Sequence, residues 1–532
     1  MILNLKEFNK HVTYQHFKMD TLHTITSLIK PHCFMASLDL KDAYYSVPIA
    51  VKHRKFLRFE FNGLIYQYNC FPNGLSCCPR LFTKIVKPAL AELHKCGFIA
   101  SAYIDDIYLQ GNTYEECTMN VIKALSVFTK LGFIIHPSKS SFIPSQSIKM
   151  LGFNLNSVTM TVTPTEDKKI TIHSICEAVL SSNRHSIRYI AHVLGKLIST
   201  FPGNLYGPLF YRQLEKEKTL ALKMNNGKFD RLMTLSSDAR DELLWWLHNI
   251  HDATKPLTQT KPSLIISTDA STTGWGAHST ILSTGGLWSA DEQKRHINYL
   301  EMNAIFLSLQ TIAKNLNNTH IRIMSDNTTA VGVLNRMGTS HSKSCNKLCK
   351  TIWQWCISRK IWLSVAHIPG SDNINADKES RKPLNESAEW QLDPDRLRYS
   401  LARLNFKPTI DLFATRINKQ FPTFVSYRPD PDAYAVDAFN LDWAEYKFYA
   451  FPPFSQITRM LSKIDRDNAE GICVLPSWPT QPWYPWAMQL LQRPPIILKP
   501  SKTLLHLPHK PLSVHPLHKK LHLMICHLSA KA

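Results

Sequence analysis

No apolar run in this 532-residue chain reaches the roughly 18 residues that a membrane-crossing helix needs. No membrane partner is therefore expected. None of the twelve cysteines belongs to a CxxC pair, and nothing near Met1 reads as a signal peptide. Both point to reduced thiols and an intracellular address, cytoplasm or nucleus. No internal repeat is present. Acid is scarce: 41 Asp plus Glu stand against 62 Lys plus Arg, a formal net charge of +21. After Glu470 there is no acid at all, while lysines and Arg493 continue. Such a balance favours a polyanionic partner, usually nucleic acid. A solvated basic surface is the plain alternative.

What is present is a succession of textures. The chain is too long for one hydrophobic core, so three or four domains are expected, of mixed α+β and α/β class. Residues 1–155 alternate short strands with helices. In "YEECTMNVIKALSVFTKLGF", Met119, Ile122, Leu125 and Leu131 recur near helical spacing, with Gly132 as the stop. Residues 156–253 are mostly helical. Residues 254–263, "TKPLTQTKPS", read as a linker. Strands and helices alternate again over 264–382, and 383–408 reads as a second linker. A last domain spans 409–500. The basic, His-rich 501–532 is expected to be a disordered tail.

Two adjacent carboxylates interrupt "SAYIDDIYLQG": Asp105 and Asp106, between apolar and aromatic residues. Like charges side by side in a buried-looking hairpin are costly unless neutralised. A hard divalent cation would do so, taking one or two carboxylates and leaving room for phosphate. "FMASLDLKDAYYSVPI" supplies a second acidic strand end at Asp39, followed by Asp42, Tyr44 and Tyr45. Each segment alone fits a solvated strand end.

In order, "LDLKDAYYSVP", "FPNGLSCCPRLF", "YIDD", "HPSKS" and "LGF" resemble the palm of reverse transcriptases of retroviruses and retrotransposons. The resemblance implies a right-hand polymerase palm with partial fingers over 1–155 and a helical thumb and connection over 156–253. It implies RNA-directed DNA synthesis by two-metal phosphoryl transfer, with Mg²⁺ or Mn²⁺ and two ions per site. The partners would be an RNA template, a DNA primer, their hybrid and deoxynucleoside triphosphates. By match, Asp39 and Asp105 ligate metal and Asp106 supports them. Tyr44 gates the sugar, Asn73 and Gly74 lie over the nucleotide, and Lys139 stands near the departing pyrophosphate. Leu151, Gly152 and Phe153 resemble the primer grip. Lys168, Lys169, Arg184, Arg188 and Lys196 would follow the phosphate backbone, or form a solvated helix face. The Lys and Arg that grip the triphosphate in relatives would precede Met1, and Lys6 does not replace them. A truncated frame, or one module of a longer polyprotein, is expected.

A second acidic set follows. "SLIISTDASTTGWGAH" brings Asp269 at a strand end. "INYLEMNAIFLSLQTI" places Glu301 in an amphipathic helix. "HIRIMSDNTTAVGVLN" ends a strand on Asp326, and "LSVAHIPGSDNINADKESR" adds His367 and Asp377. This order resembles ribonuclease H, which implies a four-acid, two-metal site cleaving the RNA strand of a hybrid, assisted by His367. "NADKESR" departs from the commoner "AD.LSR".

The C-terminal "TIDLFATRINKQ" to "FYAFPPFSQI" resembles the domain after ribonuclease H in DIRS-like, tyrosine-recombinase retrotransposons. More distantly it is similar to adenine N6-methyltransferases of an α/β fold. There Asp411 and Asp442 would sit near the cofactor, and Pro452, Pro453 and Phe454 would cradle a flipped base. Phe451 stands where that family needs a hydrogen-bond acceptor. A degenerate domain is thus expected, without S-adenosylmethionine. The rival to a catalytic chain is a truncated or co-opted nucleic-acid-binding relic. His341, Cys345 and Cys349 share a helical face, which fits packing better than zinc. Oligomeric state is not legible.

Overall fold

Residues 34–41, "FMASLDLK", alternate between two apolar environments, as a strand buried on both faces does. In the computed structural model, which describes residues 3–382 and 389–531, they form the strand Phe34–Lys41. Ala36, Leu38 and Leu40 enter one core, with Ile107 and Leu109 of the neighbouring strand. Met35 and Tyr108 enter the other, with Phe153, Leu155 and Val162. The chain divides into two compact units, Met1–Gln259 and Thr260–Ala532.

In the first unit, Phe34–Lys41 pairs antiparallel with Asp106–Gly111, which pairs with Ile99–Tyr103. Ser141–Ser145 and Ile134–Ile135 complete the sheet on the other side of Phe34–Lys41. Helices Cys78–Lys95 and Tyr114–Lys130 supply Phe82, Val86, Val121 and Phe128 to one core. The second helix falls where the sequence puts it, but its inner face differs from the expected one. Met119, Ile122 and Leu131 are exposed; Cys117, Asn120, Val121, Ala124 and Phe128 are buried. Asn120 belongs inside because its amide donates to the carbonyls of Ile99 and Gln110.

The helical region contains Glu166–Leu180, Ile187–Ile198, Arg212–Met224 and Ser237–Asn249. Ser186 and Ser236 cap the second and fourth through their hydroxyls. The expected linker at 254–263 is partly strand. Lys255–Pro256 extends the sheet built from Ser147–Met150, Phe153–Asn156 and Thr161–Pro164. Among the expected phosphate-following residues, Lys168 donates to the Ser199 carbonyl, Lys169 to that of His251, and Arg188 forks onto Asp230.

The second unit opens with a five-stranded sheet in the order Ser283–Leu287, Gly274–Ser279, Leu264–Ala270, His320–Ser325, Trp362–His367. The first pairs are antiparallel and the last two parallel. Helix Ile297–Ile312 was expected to be amphipathic. It is instead buried nearly all round, Leu300 to Ile305 without a break, because it packs between this sheet and helix Lys343–Ser358. In the latter helix Cys345 and Cys349 are buried while His341 is exposed, so the three do not converge.

The expected tail is folded. Leu523–Ser529 is buried at all seven positions. It runs antiparallel between Glu470–Pro476 and Ile496–Leu498 in a second five-stranded sheet, completed by Lys447–Ala450 and Ile410–Asp411. Its apolar run, "LMIC" then "L", outweighs the flanking histidines and lysines. His527 is accommodated by a 2.8 Å contact with Glu470. The expected second linker is also structured from 389 onward; 383–388 lie outside the described residues. Helix Pro394–Leu404 is capped by Asp393 and places Leu397 and Leu404 in the core of this sheet. Among the described residues no helix is long and apolar enough to cross a membrane.

Candidate functional site

Asp39, Asp105 and Asp106 stand at adjoining strand ends. Asp39 is the register partner of Asp106, and Tyr103 pairs with Asp106 across a two-residue turn made by Ile104 and Asp105. Ile104 has φ 57, a left-handed conformation that a β-branched residue resists. It persists because the turn is held from outside: the Leu40 amide donates to the Asp105 carbonyl at 3.0 Å. The "HPSKS" segment clamps the other side. The Asp39 amide donates to the Ser140 hydroxyl at 3.0 Å, and the His136 amide to the Asp39 carbonyl at 2.8 Å.

Asp39, Asp105, Tyr44, Asn73, His136 and Lys139 line one open cavity of about 470 Å³. Burial, then Asp39, raises the Asp105 carboxyl. Burial, then Asp105 and Asp39, pushes Asp106 up to about 6, with Lys139 opposing. Carboxylates that resist ionisation together are suited to a hard cation, whose charge would offset the shift. Tyr44 packs edge-on against Phe82, ring centroids 5.5 Å apart, and burial pushes its hydroxyl up to about 12. The Asn73 amide donates to the Tyr45 hydroxyl. Gly74 sits at φ 97, and a Cβ there would meet the Leu3 carbonyl at 3.2 Å.

Leu151 and Gly152 form the left-handed turn of a hairpin. Phe153 points away from that turn into the core, under the Lys168 ammonium 4.0 Å from its ring.

In the second unit Asp269, Glu301 and Asp326 converge, their nearest ligand atoms all within 4.8 Å of one another. Glu301 is buried, and its Oε2 has no hydrogen-bond partner. Burial, then Asp269 and Asp326, pushes its carboxyl up to about 8. A buried acceptor without a donor beside two further acids fits a divalent cation as the missing partner. The Ser380 hydroxyl donates to Asp269 at 2.5 Å. Asp377 is not in the three-acid group. It is half-exposed on helix Ile374–Arg381 and paired with Arg381 at 2.6 Å, although its charge still raises Asp269. His367, register partner of Ser325, is exposed beside Asp326. Sequence reasoning missed Ser380 and the Ser140 clamp. The only signal for Ser380 was its place one turn after Asp377.

The C-terminal motif residues do not share a site. Asp411 is fully buried and pushed up to about 7 by that burial, and both its oxygens accept amides of its own loop, from Phe413 and Gln420. Asp442 is exposed and caps a local turn through Ala444. Pro453 lines a cavity of about 300 Å³ with Phe413, Asp437, Phe439 and Arg459. Phe451, Pro452 and Phe454 line a different one, about 240 Å³, with Trp390. The expected single cradle is therefore split, Pro453 lining one cavity and Pro452 and Phe454 the other.

Known proteins bear on the first unit most directly. The enzymatic polyprotein of cauliflower mosaic virus (strain CM-1841) is 25% identical over 399 residues, which cover 72% of this chain and 55% of that polyprotein. The Tf2-3 transposon polyprotein of Schizosaccharomyces pombe is 24% identical over 409 residues, 72% of this chain and 28% of its own length. The chain thus spans about half the length, or less, of these relatives. Among solved structures, a foamy viral protease-reverse transcriptase in complex with RNA/DNA hybrid is similar at 17% identity. Its TM-score is 0.41, covering 74% of this chain and 52% of that one. Residues 1–155 match the family profile described as reverse transcriptase (RNA-dependent DNA polymerase), so this part of the chain is similar to reverse transcriptase domains.

Proposed function

We propose that the chain is the polymerase and ribonuclease portion of a retroelement protein, copying RNA into DNA and removing the RNA strand of the resulting hybrid. The observation that carries this reading is the meeting of Asp39 and Asp105 in one cavity with Tyr44, Asn73 and Lys139. Bound there, divalent cations, Mg²⁺ or Mn²⁺, would activate the attacking oxygen and neutralise the leaving one. Asp39 and Asp105 would hold them, and Asp106 would steady the turn from the adjoining strand. Lys139 offers a proton donor and a positive charge on the side where pyrophosphate departs. Tyr44, fixed against Phe82, presents a ring edge to the sugar and disfavours a 2′-hydroxyl. In the second unit Asp269, Glu301 and Asp326 would hold the cations for hybrid cleavage. Ser380 orients Asp269, and Asp377 closes the set once Arg381 swings toward phosphate. The partners would be an RNA template, a DNA primer, their hybrid and deoxynucleoside triphosphates, inside the cell.

The finer reading is a DIRS-like element whose methyltransferase-like domain has lost its chemistry. Phe451 supports this, since its ring packs near Phe454 and accepts no hydrogen bond. The test is Mg²⁺-dependent primer extension on an RNA template, together with hybrid cleavage, by the purified full chain. Tight hybrid binding without either reaction would make the chain a nucleic-acid-binding relic.

A further inference from the structure

The domain that follows the ribonuclease-like sheet is bonded into it rather than hung from it. We propose that Arg416, which lies in the C-terminal domain, is a positioning residue for the Asp269–Glu301–Asp326 cluster; this rests on the ribonuclease reading above.

The path is short. The Arg416 guanidinium forks onto Glu292, with Nη1 to Oε1 at 3.0 Å and Nη2 to Oε2 at 2.9 Å, and Nη2 also donates to the Leu287 carbonyl at 3.2 Å. Both side chains are about four-fifths buried, with exposures of 20% and 21%. The backbone amide of Arg416 donates to Asp430 at 2.6 Å, so the arginine is anchored from behind. Glu292 in turn accepts from the side-chain amide of Asn303 at 3.2 Å. Asn303 is buried on the same helix as Glu301, two residues on. A second branch leaves the same corner. Trp288, fully buried, donates its ring N–H to the Ser271 carbonyl at 2.9 Å, two residues after Asp269.

Glu301 needs such support. Its Oε2 has no hydrogen-bond partner in the protein, and beyond a backbone bond at Ala270 its place beside Asp269 and Asp326 depends on where its helix lies. A bidentate arginine–carboxylate pair fixes geometry as well as charge. Other bonds hold the same seam. Ala290 donates to the Pro508 carbonyl, Gln293 to that of His509, and Lys314, just past the end of the Glu301 helix, to that of Ala433. Removing a partner bonded directly to a metal ligand typically changes metal affinity by about 10–100-fold, and Asn303 and Arg416, acting through the helix, are expected at the low end of that range.

The test uses the full chain carrying Asp39→Asn and Asp105→Asn, so that the palm is silent, and measures Mn²⁺ affinity calorimetrically, melting temperature, and kcat and KM for hybrid cleavage. Asn303→Ala leaves the ion pair intact and should weaken Mn²⁺ by about tenfold, with kcat lowered, KM for hybrid unchanged and melting close to the parent. Arg416→Ala should weaken Mn²⁺ at least as much. Arg416→Lys, which keeps the charge but not the fork, should fall between. Parental Mn²⁺ affinity in both alanine variants, even with lowered melting temperature, would overturn the proposal. If Arg416→Ala does not fold, Asn303→Ala decides alone. If the background chain shows no Mn²⁺ binding that Asp326→Asn removes, the ribonuclease reading itself fails and this inference falls with it.

Discussion

The carboxylates Asp39, Asp105 and Asp106 stand at the tip of a hairpin, on a turn held in a strained conformation beside an open cavity. Those of the second unit, Asp269, Glu301 and the half-buried Asp326, stand on strand ends and on a helix buried nearly all round. The palm turn places its charge by backbone geometry, Ile104 at φ 57 and the Leu40–Asp105 bond. The second site places it by packing, with Glu301 at 5% exposure and an oxygen left without a partner. Burial therefore sets how strongly each site resists ionisation: Asp106 reaches about 6, Glu301 about 8.

The largest expected effects separate the two sites outright. Asp105→Asn should lower primer extension by at least about 10²–10³-fold, the scale for losing one group that stabilises developing charge, and leave hybrid cleavage intact. Asp326→Asn should do the reverse, with hybrid affinity kept or raised because a negative charge near phosphate is gone. Equal damage to both reactions from either change would erase the distinction. Next, Tyr44→Ala should raise ribonucleotide incorporation by roughly tenfold, the scale of a single steric contact, measured as the ratio of ribose to deoxyribose products. An unchanged ratio would leave Tyr44 as packing for Phe82.

A smaller effect concerns stability and pH. The folded value of Glu301, about 8, lies above its ordinary 4.5. Below 4.5 both folded and unfolded chains hold the proton and the site costs nothing. Between 4.5 and 8 the unfolded chain ionises while the folded one resists, so stability is lost as pH rises across that window. In EDTA, Glu301→Gln should melt several degrees higher than the parent at pH 8 and nearly with it at pH 4.5; Mg²⁺ should close the gap at pH 8. A gap independent of pH would refute the argument. The smallest effect belongs to Ile104→Gly. Relief of left-handed strain, about 1–3 kcal/mol, offsets lost packing, so melting should shift by only a few degrees. Extension should still slow, because the Asp105 turn is no longer fixed. Faster extension would mean that the strain does not serve placement.

Some of this was legible from residue order and some was not. The strand ends carrying Asp39, Asp269 and Asp326 could be read because apolar runs stop at an acid. Helix Tyr114–Lys130 could be read, but not its inner face, since that face is built from Cys117, Asn120 and Ala124 while Met119 and Ile122 face water. The strand Leu523–Ser529 was hidden by the histidines and lysines around it. A strand buried on both sides has no alternation to detect, and its only signature is a short apolar run. Asp377 fits the four-acid order on paper, but Arg381 one turn on holds it apart from the other three. The Arg416–Glu292 fork joins residues 124 positions apart, and no local pattern announces such a pair.

One topological detail has consequences in time. Glu470–Pro476 and Ile496–Leu498 are not neighbours in their sheet; Leu523–Ser529 lies between them. The sheet cannot grow strand by strand in the order of synthesis. Until the later segment arrives, a strand-wide slot stays open, with unpaired amides and carbonyls on both of its walls. Such a slot invites any extended chain that comes near, a second nascent copy included. A sheet whose last pairing spans a long stretch of sequence closes late. A ribosome or chaperone holding the chain through that interval would influence how much of the protein ever completes this sheet.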